Sequence, residues 1–220
     1  MNVRFFFKRR IGFIRRFYDS AIRTFEETKR LIEEEKEPYI PPYSEDGEPP
    51  FLEEWIDADT SVQIVGRTAI SMLSESLKIY FVQWDQLLGA SCGSRFKDEF
   101  KKGYWNGYRK CFAELFGVDW VQCPADAKII EQIALARNSS QHAGAISSLS
   151  ARHPQDLRKR FPNPIFVPEH EKSLDDDQLD SLSLLGSQLV ISRDALLESI
   201  QQAELLVDWL EPQLQNMRWG

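Results

Sequence analysis

At 220 residues, with 42% hydrophobic and 28% charged side chains, the chain holds enough apolar material for one packed domain with appendages, which argues against wholesale disorder or a fibrous repeat. A formal net charge of −7 argues against coating nucleic acid through a general excess of positive charge, while leaving room for a local basic groove. The charge is unevenly spread: Arg4, Lys8, Arg9, Arg10, Arg15, Arg16 and Arg23 crowd the opening stretch, Arg158, Lys159 and Arg160 form a second basic cluster, and residues 33–35 and 175–177 are acidic.

Three cysteines, Cys92, Cys111 and Cys123, are odd in number and lack C-x-x-C spacing, so neither a disulfide framework nor a zinc knuckle is suggested and a reducing compartment is expected. Lys8, Arg9 and Arg10 cut off the apolar triplet Phe5, Phe6 and Phe7 before a signal-peptide core or a membrane span can form. The expected setting is the cytoplasm, with no membrane partner.

Residues 4–36 contain no proline, and Phe6, Ile14, Phe17, Ile22, Phe25 and Ile32 recur near helical spacing, predicting one or two amphipathic helices that pack on the core with a solvated basic face. The proline-rich stretch 38–50 reads as a long connection, so residues 1–50 form an N-terminal helical extension and 51–220 the main domain. Within that domain Ile64, Ala69, Met72, Leu73, Leu77, Tyr80, Phe81 and Leu88 predict a long buried helix over 62–88.

A second helix is predicted over 94–116, with Ser94 as its N-cap and Gly117 as its stop. Its basic and aromatic run 101–110 invites base stacking. The one-turn spacing of Tyr104 and Tyr108, with Gly103 and Gly107 admitting a neighbouring helix, favours packing instead.

Pro124 and Asp126 then open a motif helix carrying Ile129, Ile130, Ile133, Ala134 and Ala136, with Pro124 placed in its first turn. Residues 145–175 contain four prolines and read as loop with one small hairpin around Ile165, Phe166 and Val167. A last helix over 192–210 is signalled by the Ser192 cap, by Asp194 in its first turn, and by the stripe Ala195, Leu196, Ile200, Ala203, Leu206, Val207 and Leu210; Pro212 is expected to end it.

The chemistry-bearing segment is Arg137-Asn138-x-x-x-His142, late in the motif helix. Asn138 and His142 stand four residues apart and share a helix face, while Arg137 is offset by one, so all three line one edge if the helix ends or distorts near Ser140. An unperturbed imidazole pKa of about 6.5 lets His142 exchange protons near neutral pH. The Arg137 guanidinium stays charged and can fork onto phosphate oxygens. His153 and His170 lack metal-site spacing and read as surface loop residues, and Asp175, Asp176 and Asp177 read as a solvated helix start. No phosphate-binding glycine loop is present, and no cofactor or metal ligand set is expected.

With a helical hairpin before it and a closing helix after it, this segment resembles the R-x(4 to 6)-H motif of the HEPN (higher eukaryote and prokaryote nucleotide-binding) superfamily over roughly residues 51–212. The resemblance leaves the N-terminal helices and the insert 147–175 unexplained. It implies an all-α helical bundle and a metal-independent endoribonuclease with Arg137, Asn138 and His142 as catalytic residues. It also implies RNA as substrate, a homodimer with a composite cleft, and a role in defence, stress response or a toxin–antitoxin pair. The alternative is a non-catalytic dimerisation or RNA- or nucleotide-binding module of the same fold. The small residues Ala134, Ala136, Ser139, Ser140, Ala143 and Gly144 permit a second helix to approach. Gly144 occupies the position where toxins paired with a nucleotidyltransferase antitoxin often carry the tyrosine that is adenylylated, which puts that form of regulation in doubt.

Overall fold

A computed structural model describes residues 2–42, 49–141, 149–154, 156–172, 174 and 187–219. The described residues form an all-α bundle with no strand, the only extended pairing among them being an isolated antiparallel bridge between Arg152 and Gln188.

Helix α1, Val3–Glu33, is one continuous helix of 31 residues, capped by the Asn2 side chain, which accepts from Phe5 N at 2.9 Å. Val3, Phe7, Ile11, Ile14 and Tyr18 repeat every three or four residues and bury one face. The expected stripe began at Phe6, but the buried one passes through Phe7 and Ile11, leaving Phe6 half exposed.

Helix α2, Leu52–Leu88, starts ten residues before the predicted 62–88 and spans 37 residues, a rod of about 55 Å. Helix α9, Arg193–Trp219, completes the central three. Cross-contacts fix their directions. Arg10 meets Ser76 and Lys29 meets Asp59, while Lys8 meets Asp208 and Asp19 meets Arg193, so α1 runs antiparallel to both α2 and α9. The buried face of α1 belongs to the same apolar core as α2 and α9.

All seven apolar positions predicted for α9 are buried, and Ser192 Oγ caps it by accepting from Ala195 N at 3.2 Å. Pro212 does not end this helix. The proline is exposed, so the carbonyl it leaves unbonded lies on the solvent side, while the turns around it are anchored inward by Leu214 and Glu211. Glu211 is 1% exposed, yet its carboxylate accepts from the Tyr80 hydroxyl and Trp84 Nε1, both at 2.9 Å, from Arg4 N at 3.3 Å and from Gln215 Nε2 at 3.2 Å. Those donors make burial of a charge tolerable.

The predicted helix 94–116 is three helices: α3 Cys92–Arg95, α4 Lys97–Lys101 and α5 Tyr104–Phe116. Ser94 lies inside α3 rather than capping it, whereas Gly117 stops α5 as expected. The break falls at Gly103, whose φ of 118° is a conformation that L side chains rarely adopt. The turn folds Phe100 back against Gly107, where any side chain would collide with its ring, and edge-on to Tyr108 at 4.9 Å. Trp105 and Tyr108 are buried, and Lys101, Lys102 and Lys110 pair with Asp98, Glu99 and Glu114, so this run serves packing.

The cysteine expectation is overturned: Cys92 and Cys111 form a disulfide, with Cα atoms 5.6 Å apart, tying α3 to α5. Spacing along the chain did not foretell it because the Gly103 turn creates the proximity. Cys123 is the free thiol.

A 3-10 turn, Trp120–Gln122, leads to α6, Ala127–Gln141. Asp126 caps this helix by accepting from Lys128 N at 2.7 Å, and Pro124 lies ahead of the helix rather than in its first turn. In place of a hairpin, the following insert contains two single-turn helices, α7 Leu157–Arg160 and α8 Glu169–Lys172. Phe166 enters the main core, and Val167 packs with Leu157 and Phe161 in a small second cluster. No helix among the described residues is long and apolar enough to cross a membrane.

Candidate functional site

Helix α6 is held by Ile130, Ile133 and Ala136, all fully buried, and packs on α2 and α9. Its last turns therefore bring Arg137 to α2 at a fixed height. Arg137 Nη2 lies 3.6 Å from Glu75 Oε2, with side-chain exposures of 28% and 39%. That separation is an attraction without a hydrogen bond, and Glu75 Oε2 is a buried atom with no hydrogen-bond partner. Arg137 Nη1 donates a long bond to Asn138 Oδ1 at 3.4 Å, and Asn138 is exposed. Most of the guanidinium's N–H donors are thus uncommitted among the described residues.

Tyr104, at the start of α5, forms the floor beside this pair. Its hydroxyl lies 3.2 Å from Ser74 Oγ and donates to Ser74 O at 3.2 Å. Burial pushes its pKa up to about 12; the Ser74 hydrogen bond and the Arg137 charge pull it down, and the Glu75 charge raises it further. One phenol thus feels both members of the ion pair. Sequence reasoning missed Glu75, because a lone glutamate in a long helix carries no pattern, and for Tyr104 it favoured packing over base stacking.

The helix continues through Ser140, whose Oγ donates to Ala136 O at 2.7 Å. His142 lies outside the described residues, as do Ala143, Gly144, Asp175, Asp176 and Asp177. Of the small residues that permit a second helix, Ala134 and Ala136 are already buried within this chain.

The histidine expectations need correction. His153 is no surface residue: it is 6% exposed, with Nε2 donating to Phe166 O at 2.8 Å and Nδ1 buried without a hydrogen-bond partner. Burial lowers its pKa, against the Phe166 hydrogen bond and the Glu171 charge, which raise it. His170 is exposed, as expected, but lies on the single-turn helix α8 rather than in a loop. The second basic cluster is partly neutralised, since Arg158 pairs with Glu171 at 3.3 Å and Arg160 with Glu131 at 2.7 Å. Among the described residues no three His, Cys, Asp or Glu side chains group to hold a metal ion.

Chemically, the arrangement offers a forked, permanently charged donor at the protein surface, held by a carboxylate that it does not hydrogen-bond. An incoming phosphate oxygen can take those donors. Comparison with known protein families, with curated proteins and with solved structures finds no match to this chain.

Proposed function

We propose that the protein is a metal-independent endoribonuclease of the HEPN type. The observation that carries this reading is the Arg137 guanidinium, brought to the surface at the end of a core-anchored helix with most of its donors uncommitted. In the proposed reaction the ribose 2′-hydroxyl attacks the adjacent phosphorus, the bond to the 5′-oxygen breaks, and a 2′,3′-cyclic phosphate and a free 5′-hydroxyl result. His142 takes the 2′-hydroxyl proton and, in a paired set, returns one to the leaving oxygen. Arg137 stabilises the charge that gathers on the phosphate oxygens, Asn138 orients the substrate, and Glu75 positions Arg137.

The paired set is a second protomer, so the working unit is a homodimer with a composite cleft. The setting is the cytoplasm, in defence, stress response or a toxin–antitoxin pair. With Gly144 in place of the tyrosine, control by adenylylation at that position is not part of the proposal. A cytoplasmic setting requires the Cys92–Cys111 bond to persist against a reducing environment.

A second reading draws on the Glu75–Arg137 pair itself. If that contact is purely structural, the fold is a non-catalytic module that dimerises or binds RNA or a nucleotide. Product chemistry separates the two. A ribonuclease of this type cleaves in EDTA, leaves 2′,3′-cyclic phosphate ends, and fails on a substrate with 2′-deoxyribose at the scissile position. Abolition by EDTA, or equal cleavage of the deoxy substrate, overturns the mechanism.

A further inference from the structure

Residues 1–18 contain six bases and no acid. Three of those bases are neutralised by α9: Arg4 and Lys8 by Asp208 at 3.8 and 2.8 Å, and Arg15 by Glu204 at 3.1 Å. Arg9, Arg10 and Arg16 meet no carboxylate among the described residues; Arg9 lies over the Phe5 ring at 5.9 Å, and Arg10 Nε donates to Ser76 Oγ at 3.0 Å. Phe5, Phe6 and Phe13 are 51%, 50% and 54% exposed, an unusual outlay of aromatic surface on a helix whose other face is already buried.

The order of these residues matters more than their number. Phe6, Arg9, Phe13 and Arg16 follow one another at intervals of three, four and three residues, which places them within about 80° of one another on a helix, on the side turned away from Phe7 and Ile11. Ring and guanidinium therefore alternate along a single stripe. A membrane-surface helix separates its apolar and cationic faces; here, sinking Phe6 and Phe13 into acyl chains would drag Arg9 down with them. Self-association through this face about a twofold axis would set unneutralised arginines against themselves. Alternating stacking faces and cations match a single-stranded nucleic acid, whose bases and phosphates alternate likewise.

The stripe leads to the candidate site. Beside it, a groove of about 480 Å³ between α1 and α2 is lined by Phe6, Arg10, Phe13, Met72 and Ser76 among others. Ser76 holds Arg10, and the preceding residue, Glu75, meets Arg137. Glu75 and Ser76 are consecutive on α2 and so diverge by about 100° around its axis, which puts the groove and the candidate site on neighbouring faces of that helix. We infer that single-stranded RNA binds along α1, with Arg9 and Arg16 on phosphates and Phe6 and Phe13 under bases, and continues over α2 to Arg137. Its final step rests on the ribonuclease reading; binding to α1 does not.

The test measures binding of a fluorescein-labelled single-stranded RNA of mixed sequence by the full-length protein, in an Arg137→Ala background so that the probe stays intact. Phe6→Ala/Phe13→Ala is expected to weaken binding about tenfold or more. Arg9→Ala/Arg16→Ala is expected to flatten the slope of log affinity against log salt by about 0.7 per arginine. The half-exposed positions leave the fold intact, which circular dichroism and melting curves check. Unchanged affinity and slope in both double variants overturn the inference, as does binding to phosphatidylserine vesicles, or self-association through this face, without RNA binding. If RNA binds through α1 but wild-type protein never cleaves it, this inference stands and the ribonuclease reading falls; the converse pattern leaves that reading and removes this one.

Discussion

The Arg137 guanidinium of α6 meets the Glu75 carboxylate of α2 at 3.6 Å, close enough to attract and too far to hydrogen-bond, and Tyr104 senses both. Because the Glu75 charge raises the Tyr104 pKa from its ordinary value and the Arg137 charge lowers it, the two charges should be separable. Glu75→Gln is expected to bring Tyr104 down from about 12, though still above 10 because burial is the largest cause, and Arg137→Ala to move it up. Ultraviolet titration against a Tyr104→Phe partner of each variant isolates this one phenol. No movement in either variant would mean that the three residues do not share a site. The stability change should be modest, since the pair is partly exposed and exposed ion pairs contribute roughly 0–1 kcal/mol.

The Cys92–Cys111 bond closes a segment with a sequence separation of 19. In the chain-entropy account a loop of that length contributes about 3 kcal/mol. For a chain of this size that corresponds to roughly 6–12 °C in melting temperature. Cys111→Ala, or full reduction, should produce a loss of that order. Thiol titration of unreduced protein in denaturant should find only Cys123, and three reactive thiols would contradict the assignment. In the native protein burial raises the Cys123 pKa, so its alkylation should be slow.

His153 should make the insert acid-sensitive. Its folded pKa lies below the ordinary 6.5 because burial disfavours the imidazolium. Between that lowered value and 6.5 the unfolded chain binds more protons, so stability is fully present above 6.5 and declines as pH falls through the window. His153→Gln keeps a donor for Phe166 O and removes the titration. The variant should show a shallower loss of urea stability between neutral and acid pH than wild type. Equal slopes would remove His153 as the cause.

Much of the architecture was legible in the sequence, and the failures share a physical origin. Helix α9 was readable because its apolar stripe and the Ser192 cap are local signals, and α2 because its core repeat is long. Its first ten residues and the continuation of α9 through Pro212 were hidden, since contacts from other elements decide them: Leu214 and Glu211 anchor the last turns where local rules stop the helix. The break at Gly103 was masked by a run that still reads as helical. At the candidate site, Arg137 and Asn138 announced themselves as a pattern, whereas Glu75 entered only through tertiary proximity.

The measurement that bears most directly on the proposed function compares RNA cleavage and RNA binding by wild-type, Arg137→Ala and His142→Ala proteins with matched melting curves. If Arg137 stabilises the phosphate and His142 moves the proton, each substitution lowers the cleavage rate about a hundredfold or more, the range expected for general acid–base groups, while binding survives better than cleavage. Cleavage at the wild-type rate by both variants, or wild-type protein that binds RNA without cutting it, would contradict the account.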